Sequence, residues 1–330
     1  MKAAMPPSQF VIFTTMKNEG PFMLEWVAHN MSLGFNGIVI YTNDCADGTD
    51  LIARRLEELG LASHVDNPVK PGGNPQHQAL RRARKHPMVM NAEWLMCLDA
   101  DEFINITAGA RTIQSLIEHS GPADAISMAW RLFGCGGVEA YSDTPITEQF
   151  LMADHPVDYA SGRAFGLKTL FRNNGSFGRF GPHRPKDTPD DKLAGIKWRD
   201  GGGQLYPAKD VGWRAWPGFT HDFGRIHHYS VRSVESFMAK RDRGRTNHIN
   251  VDQAETYWRD MNINKVEDNS ILPLADRAKP NLRRLLDDPV LQKLHRDACE
   301  WHRAKIADLQ AREDWEPFRK WLYENKMSAV

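Results

Sequence analysis

Trp94-Leu95-Met96-Cys97-Leu98-Asp99-Ala100-Asp101-Glu102-Phe103 is a short apolar run that ends abruptly in three carboxylates. An uninterrupted hydrophobic run of this length reads as a strand buried on both faces, the condition of a parallel sheet. If the chain stays extended past the run, Asp99 and Asp101 point the same way at its C-terminal edge. Carboxylates so close repel unless a cation or a proton lies between them. Oxygen donors suit Mg²⁺ or Mn²⁺, which commonly take one or two carboxylates together with phosphate oxygens. The competing reading is an acidic turn that merely ends a core strand.

Upstream, the sequence alternates apolar runs with amphipathic stretches. Phe10 to Phe13 reads as a buried strand and Thr14 to Gly20 as a polar loop. Pro21 suits a first helical turn, and Phe22, Trp26, Val27 and Met31 repeat at helical spacing up to Gly34. Gly37 to Tyr41 is a second strand, followed by a helix over Leu51 to Leu59, a short strand over Ala62 to Val65 and a basic helix over Pro75 to Lys85. This order predicts an α/β fold, a Rossmann-like and mostly parallel sheet flanked by helices. The loops Thr14 to Glu19 and Asn43 to Asp47 then converge with the carboxylates, at the edge where open α/β sheets bind ligands. Neither a Gly-x-Gly-x-x-Gly turn nor a Gly-Lys-Ser/Thr loop follows the first strand. A nucleotide here would be held by side chains and by a metal on its diphosphate, not by a glycine cradle.

Downstream, Ala110 to Ser120 reads as a helix and Ala125 to Trp130 as another buried strand, followed by a glycine-rich turn at Arg131 to Gly137. Phe165 to Arg172 alternates, carrying Lys168 and Arg172 among apolar neighbours, and Asn173 to Gly218 reads as long loops suited to a second substrate. Arg225 to Ser230 leads into a basic helix with Phe237, Lys240 and Arg241, and the tail from Pro273 is amphipathic helix material. Several of the ten tryptophans fall among Gly and Pro in the second half, compatible with sugar stacking, although core packing accounts for most.

The chain has 330 residues, with 42 basic and 42 acidic side chains, so no bulk field argues for nucleic acid. No apolar run approaches the ~20 residues of a membrane span, and Met1 to Gln9 lacks the apolar core of a signal peptide. Four scattered cysteines without a paired spacing point to a reduced, cytoplasmic chain, peripheral to the inner face of the membrane at most, without a disulfide frame or structural zinc.

Several marks occur in a fixed order. They are Met16-Lys17-Asn18-Glu19-Gly20-Pro21-Phe22 with Glu25-Trp26, Tyr41-Thr42-Asn43-Asp44 through Asp47-Gly48-Thr49, and Leu98 to Phe103. Trp130-Arg131-Leu132-Phe133-Gly134, Lys168 to Arg172, and His227-His228-Tyr229-Ser230 with Glu235, Phe237 and Lys240 follow. Together, over roughly Val11 to Gly244, they resemble glycosyltransferase family 2-like enzymes, specifically the group related to the family 92 glycosyltransferases. The resemblance implies a GT-A fold over 8–245, divided into a nucleotide-binding half (8–105) and an acceptor half (106–245), with a helical extension over 246–330. It implies transfer of a sugar, with inversion, from a nucleotide-sugar, first of all a UDP-sugar, to a hydroxyl of a glycan or other acceptor, assisted by Mn²⁺ or Mg²⁺. In that picture Asp101 is a metal ligand, Asp99 holds the ribose or the metal, and His228 completes the metal site. Thr14, Lys17, Glu19 and Asp44 correspond to uridine and ribose contacts. Two positions depart from the pattern: Cys135-Gly136-Gly137 replaces a common Ser-Ser-Gly, and His227 stands where asparagine is common.

Inversion needs a base within reach of the acceptor hydroxyl, and Asp187, Asp222, Glu139 and His183 are the candidates in the loop-rich half. Lys168, Arg172 and Arg232 could stabilise the diphosphate. A sugar-nucleotidyltransferase would need a Gly-rich, Arg-containing turn after the first strand, and an aspartyl phosphatase would place its Asp-X-Asp there. A non-catalytic nucleotide-sugar or carbohydrate-binding protein would need no metal pair.

Overall fold

The computed structural model describes residues 9–155, 166–243 and 255–327; the expected domain bounds at 8, 245 and 330 lie outside them. In the first part, β1 (Phe10–Met16), β2 (Gly37–Thr42), β3 (Ser63–Asp66) and β4 (Trp94–Cys97) alternate with α1 (Gly20–Ser32), α2 (Thr49–Glu58), α3 (Pro75–Ala83) and the single turn α4 (Pro87–Met90). Next come β5 (Glu102–Ile106), α5 (Ile113–Ser120), β6 (Ala125–Leu132), α6 (Ile146–Gln149), β7 (Met152–Ala153) and β8 (Leu167–Arg172). Then come α7 (Asp190–Leu193), β9 (Trp198–Asp200), β10 (Leu205–Tyr206), β11 (Gly224–His228), α8 (Val234–Arg243), α9 (Glu255–Met261) and β12 (Val266–Glu267). Three helices close the chain: α10 (Leu272–Leu286), α11 (Pro289–Ala311) and α12 (Glu316–Glu324).

The main sheet runs β10-β9-β6-β8-β4-β1-β2-β3, with β11 joining β6 to β5. β3, β2, β1 and β4 are mutually parallel, as their apolar runs require. β8 runs antiparallel between β4 and β6 and so returns β6 to the direction of β4. β11 is parallel to β6 and antiparallel to β5, with His228 opposite Glu102. The architecture is therefore a mixed α/β sheet with a mainly parallel centre, flanked by helices. Its consequence is that β1, β2, β4, β6 and β11 all end on one edge.

Period-two alternation divides the strands between two cores. Ile12 and Met96 face the layer of Trp26 and Phe103 under α1, whereas Val11, Phe13 and Leu95 face Trp198 and Trp216 on the other side. Leu274, Leu285, Leu291 and Ala298 of α10 and α11 belong to the first of these cores. The change of sequence character near 245 therefore does not separate a helical appendage from the sheet. The segment 173–218 is anchored too: Trp198, Val211 and Trp216 are buried, and Tyr206 stacks on Trp216 at 4.0 Å. The helix expected from Ala110 begins at Ile113, because Thr112 caps it by accepting from the Ser115 N–H at 3.2 Å. No helix among the described residues is long and apolar enough to cross a membrane.

Candidate functional site

After β4 the chain does not stay extended. The Glu102 N–H donates to the Asp99 carbonyl at 3.1 Å, closing a turn over 99–102. Trp26 of α1 pins that turn, its indole N–H donating to the carbonyls of Asp99 and Glu102 at 3.0 and 3.1 Å. The turn sends the two aspartates to different partners, which corrects the expectation that both face one cation. Asp99 accepts from Gln76 Nε2 at 3.0 Å and from Lys168 Nζ at 2.8 Å. Asp101 takes Lys240 Nζ at 2.7 Å and lies 3.6 Å from Nε2 of His228.

The physical reason is the charge of Lys168. Its side chain is fully buried, and an ammonium out of water must have a counter-ion. Asp99 supplies one, and Glu102, also fully buried, lies 3.2 Å from the same nitrogen. Burial works against the Lys168 charge, but the two carboxylates hold its pKa well above the ordinary lysine range. The Glu102 pKa is raised as well: burial pushes it up to about 7 despite Lys168. Its carboxylate also accepts from the Asp99 N–H at 2.8 Å and from the Trp130 indole at 2.7 Å. Lys168 is thus the internal counter-ion of the acidic turn, not a cation presented to solvent.

His228 comes from the end of β11. Alternation along that strand separates it from His227, which accepts from Asn105 Nδ2 at 2.9 Å and packs on Phe133. His227 is therefore a core residue, and burial lowers its pKa well below the usual histidine value. The His228 ring lies 4.4 Å from that of Trp130, and its Nδ1 is buried without a partner. Burial opposes the charge of Asp101, but Lys240 and His228 outweigh it and hold that carboxyl well below the usual range.

His183 reaches the same edge beside Trp130, ring to ring at 5.5 Å. Its Nδ1–H donates to the Leu167 carbonyl at 3.0 Å, which leaves Nε2 with its lone pair. Burial pushes the imidazole down to about 4. Trp213, 47% exposed, lies 5.5 Å beyond it. Thr14, at the end of β1, is buried with an unpartnered hydroxyl, and Asp44, just past β2, is exposed.

Other expected residues are placed elsewhere. Asp222 precedes β11, and its carbonyl accepts from Thr107 past the end of β5. It therefore sits at the opposite edge of the sheet, six residues or about 20 Å along the strand direction from His228. Asp187 is 57% exposed and paired with Arg179 at 2.8 Å. Glu139 pairs with Lys326 on the surface. Arg172 lies opposite Trp94, at the start of β4, and stacks on that indole. Glu19 does not offer its carboxylate to a ribose; it is buried against Arg232 at 2.9 Å and against Arg243, which also donates to the Lys17 carbonyl at 2.6 Å. Glu25 caps α6, accepting from the N–H groups of Ile146 and Thr147 at 2.7 and 3.0 Å. Cys135 is buried, its thiol donating to the Lys326 carbonyl at 2.9 Å, so the departure from Ser-Ser-Gly serves the docking of the C-terminus. Glu102 and Lys240 stood among the ordered marks of the sequence without an assigned role, and Gln76 was not singled out. A glutamate opening a strand buried along its whole length demands a buried partner.

No protein-family profile matches the chain. A glycosyltransferase family 92 protein of Ricinus communis is 25% identical over 138 residues, which are 40% of this chain and 24% of that protein. The chain thus spans about a quarter of the length of that relative. Two crystal structures of S. aureus TarS, one of residues 1–349 in complex with UDP, each overlap 41% of the chain at a TM-score of 0.29. Their identities are 15% and 12% over 38% and 23% of the TarS chains, an overlap that carries no argument by itself. Over the 138 matched residues the chain is similar to a glycosyltransferase family 92 protein, and its ordered motifs lie on a mixed α/β sheet.

Proposed function

We propose that this chain moves a sugar from a nucleotide-sugar, a UDP-sugar being the first donor to test, to a hydroxyl of a glycan or other acceptor. The observation that carries the reading is the meeting of Asp101 and His228, far apart in sequence, at the ligand-binding edge of the sheet. An oxygen and a ring nitrogen 3.6 Å apart are too distant for a good hydrogen bond but well spaced to share an ion. That donor set suits Mn²⁺ and also accepts Mg²⁺. Asp101 and His228 would hold the cation; when bound, it supplies neutralisation of the charge developing on the diphosphate leaving group. Asp99 is assigned to positioning, since Lys168 and Gln76 already satisfy it.

At the nucleoside end, the buried orphan hydroxyl of Thr14 awaits a partner. Asp44 and Lys17 flank it on the loops that follow β2 and β1. At the acceptor end, His183 is the base this reading favours among the four candidates, with inversion as the expected course. Its carbonyl contact orients a neutral imidazole whose Nε2 can take the hydroxyl proton. Trp213 offers a half-exposed indole face beside it for an acceptor sugar.

UDP with Mn²⁺ should raise the melting temperature more than either alone, by the equivalent of about 2.7 kcal/mol when ligand stands at a hundredfold excess over Kd. Asp101→Ala should abolish the Mn²⁺-dependent part, whereas His183→Ala should keep the shift and lose transfer. No shift at saturating UDP and Mn²⁺ sinks the reading. A shift without turnover of any nucleotide-sugar leaves a non-catalytic binder.

A further inference from the structure

A second group of donors meets well away from the acidic turn, where the loop after β6 crosses α11. His295 and Cys299 lie four residues apart on that helix and so share one face. Asp143 reaches them from the loop before α6: its Oδ1 is 3.1 Å from His295 Nε2, and the same nitrogen is 3.7 Å from Cys299 Sγ. One oxygen, one nitrogen and one sulfur thus lie within 4.8 Å of one another, the only such trio of His, Cys, Asp or Glu donors among the described residues. Zinc bond lengths at tetrahedral angles set donor–donor edges of roughly 3.4–3.6 Å. Two edges are close to that, and the third, between Asp143 and Cys299, is within 4.8 Å, with the Asp143 side chain 43% exposed. One buried polar atom of the trio, Nδ1 of His295, has no hydrogen-bond partner.

We propose that Asp143, His295 and Cys299 form a second cation site, for Zn²⁺, that ties α11 to the loop between β6 and α6. Three protein donors leave a fourth position for water, as in open zinc sites, and the Tyr141 hydroxyl stands near enough to Cys299 to bond a group there. A thiolate and an imidazole select Zn²⁺ over Mg²⁺ or Mn²⁺, so this site and the Asp101–His228 site separate by metal. The buried position of Cys299 and the exposure of Asp143 give the ion a dry side and an entry side. The sequence alone did not point here, because a lone cysteine and a histidine on one helix become a metal set only when a distant loop brings the third donor. The competing account is an Asp143–His295 ion pair with no metal. Although burial opposes its charge, the Asp143 carboxylate holds His295 up to about 10 in the metal-free arrangement.

The full chain, stripped with a chelator and kept reduced, is titrated with Co²⁺ and then Zn²⁺. One equivalent of Co²⁺ should produce a near-ultraviolet thiolate-to-metal band together with strong visible bands, and Zn²⁺ should displace it. Cys299→Ser should remove the thiolate band. His295→Ala should weaken Zn²⁺ binding by more than the roughly 10–100-fold that loss of an outer-sphere partner costs. Asp101→Ala should leave the band unchanged, which keeps this proposal distinct from the transferase reading. Absence of the band in the folded wild-type chain, or its persistence in Cys299→Ser, overturns the site and leaves the ion pair. Cys299→Ser is close to isosteric, so circular dichroism of that variant guards against reading misfolding as lost metal.

Discussion

Glu19 opens the first helix as a carboxylate buried between two guanidiniums, Arg232 and Arg243. Burial opposes its charge, but the two arginines hold its pKa below the ordinary value of 4.5. The sign of the linkage follows from that. The contribution of Glu19 is fully present above the unfolded pKa and disappears as the pH falls through the lower folded value. Glu19→Gln should therefore cost about 3–5 kcal/mol at pH 7, since it leaves two buried cations without a counter-charge. Urea unfolding should show that loss at pH 7 and a shrinking difference from wild type below 4.5. A loss of less than 1 kcal/mol would mean that water already screens the pair. The same residue marks the limit of sequence reading at this scale. Glu19 reads as a ribose contact because its loop faces the ligand edge, yet its partners stand in and before α8, far down the chain. Asp101, His228 and Thr14 were expected toward that edge and lie there. The parting of Asp99 from Asp101 was not, because it depends on Trp26 fastening the turn and on Lys168 arriving from β8.

At the scale of elements, β6 and the start of β8 place Trp130 beside both histidines. Trp130 bonds Glu102, stacks on His228 and faces His183, and this requires the neighbouring chain to come very close. Gly166 provides that approach: its carbonyl accepts from the Trp130 N–H at 2.9 Å, and a Cβ there would lie 2.5 Å from the indole ring. The ring is held on two sides, so it cannot retreat without loosening Glu102 or His228. Gly166→Ala should cost about 1–3 kcal/mol of stability by overpacking, and should weaken the Mn²⁺-dependent shift with UDP as well. Full retention of both would show that the indole has room to move. The elements themselves were largely readable, since short apolar runs and Pro or Gly breaks locate β1 to β4 and their helices. Their spatial order was less so. The antiparallel insertion of β8 between β4 and β6 is a long-range pairing that no local periodicity encodes.

At the scale of the molecule, the question is whether the sheet can stand without the C-terminal helices. α1 is buried along almost its whole length because the sheet covers one side and α10 and α11 cover the other. Asp288 caps α11, accepting from the N–H groups of Val290 and Leu291 at 3.1 and 2.9 Å, and also binds Arg55 of α2 at 2.7 Å. The helices thus join the N-terminal half by a cap, an ion pair and a shared apolar core. A chain ended at 245 would turn Trp26's layer toward water on the side that Leu274, Leu285 and Leu291 now cover. It should lose its cooperative urea transition and bind a hydrophobic dye. Leu291→Ala in the full chain is the milder test, with an expected cost of about 2–5 kcal/mol. If the core is one, tryptophan fluorescence and far-ultraviolet circular dichroism of that variant should shift together in a single transition. If the helices were an independent appendage, the variant would instead show an early helical step, and the main transition and UDP binding would stay where they are in the wild type.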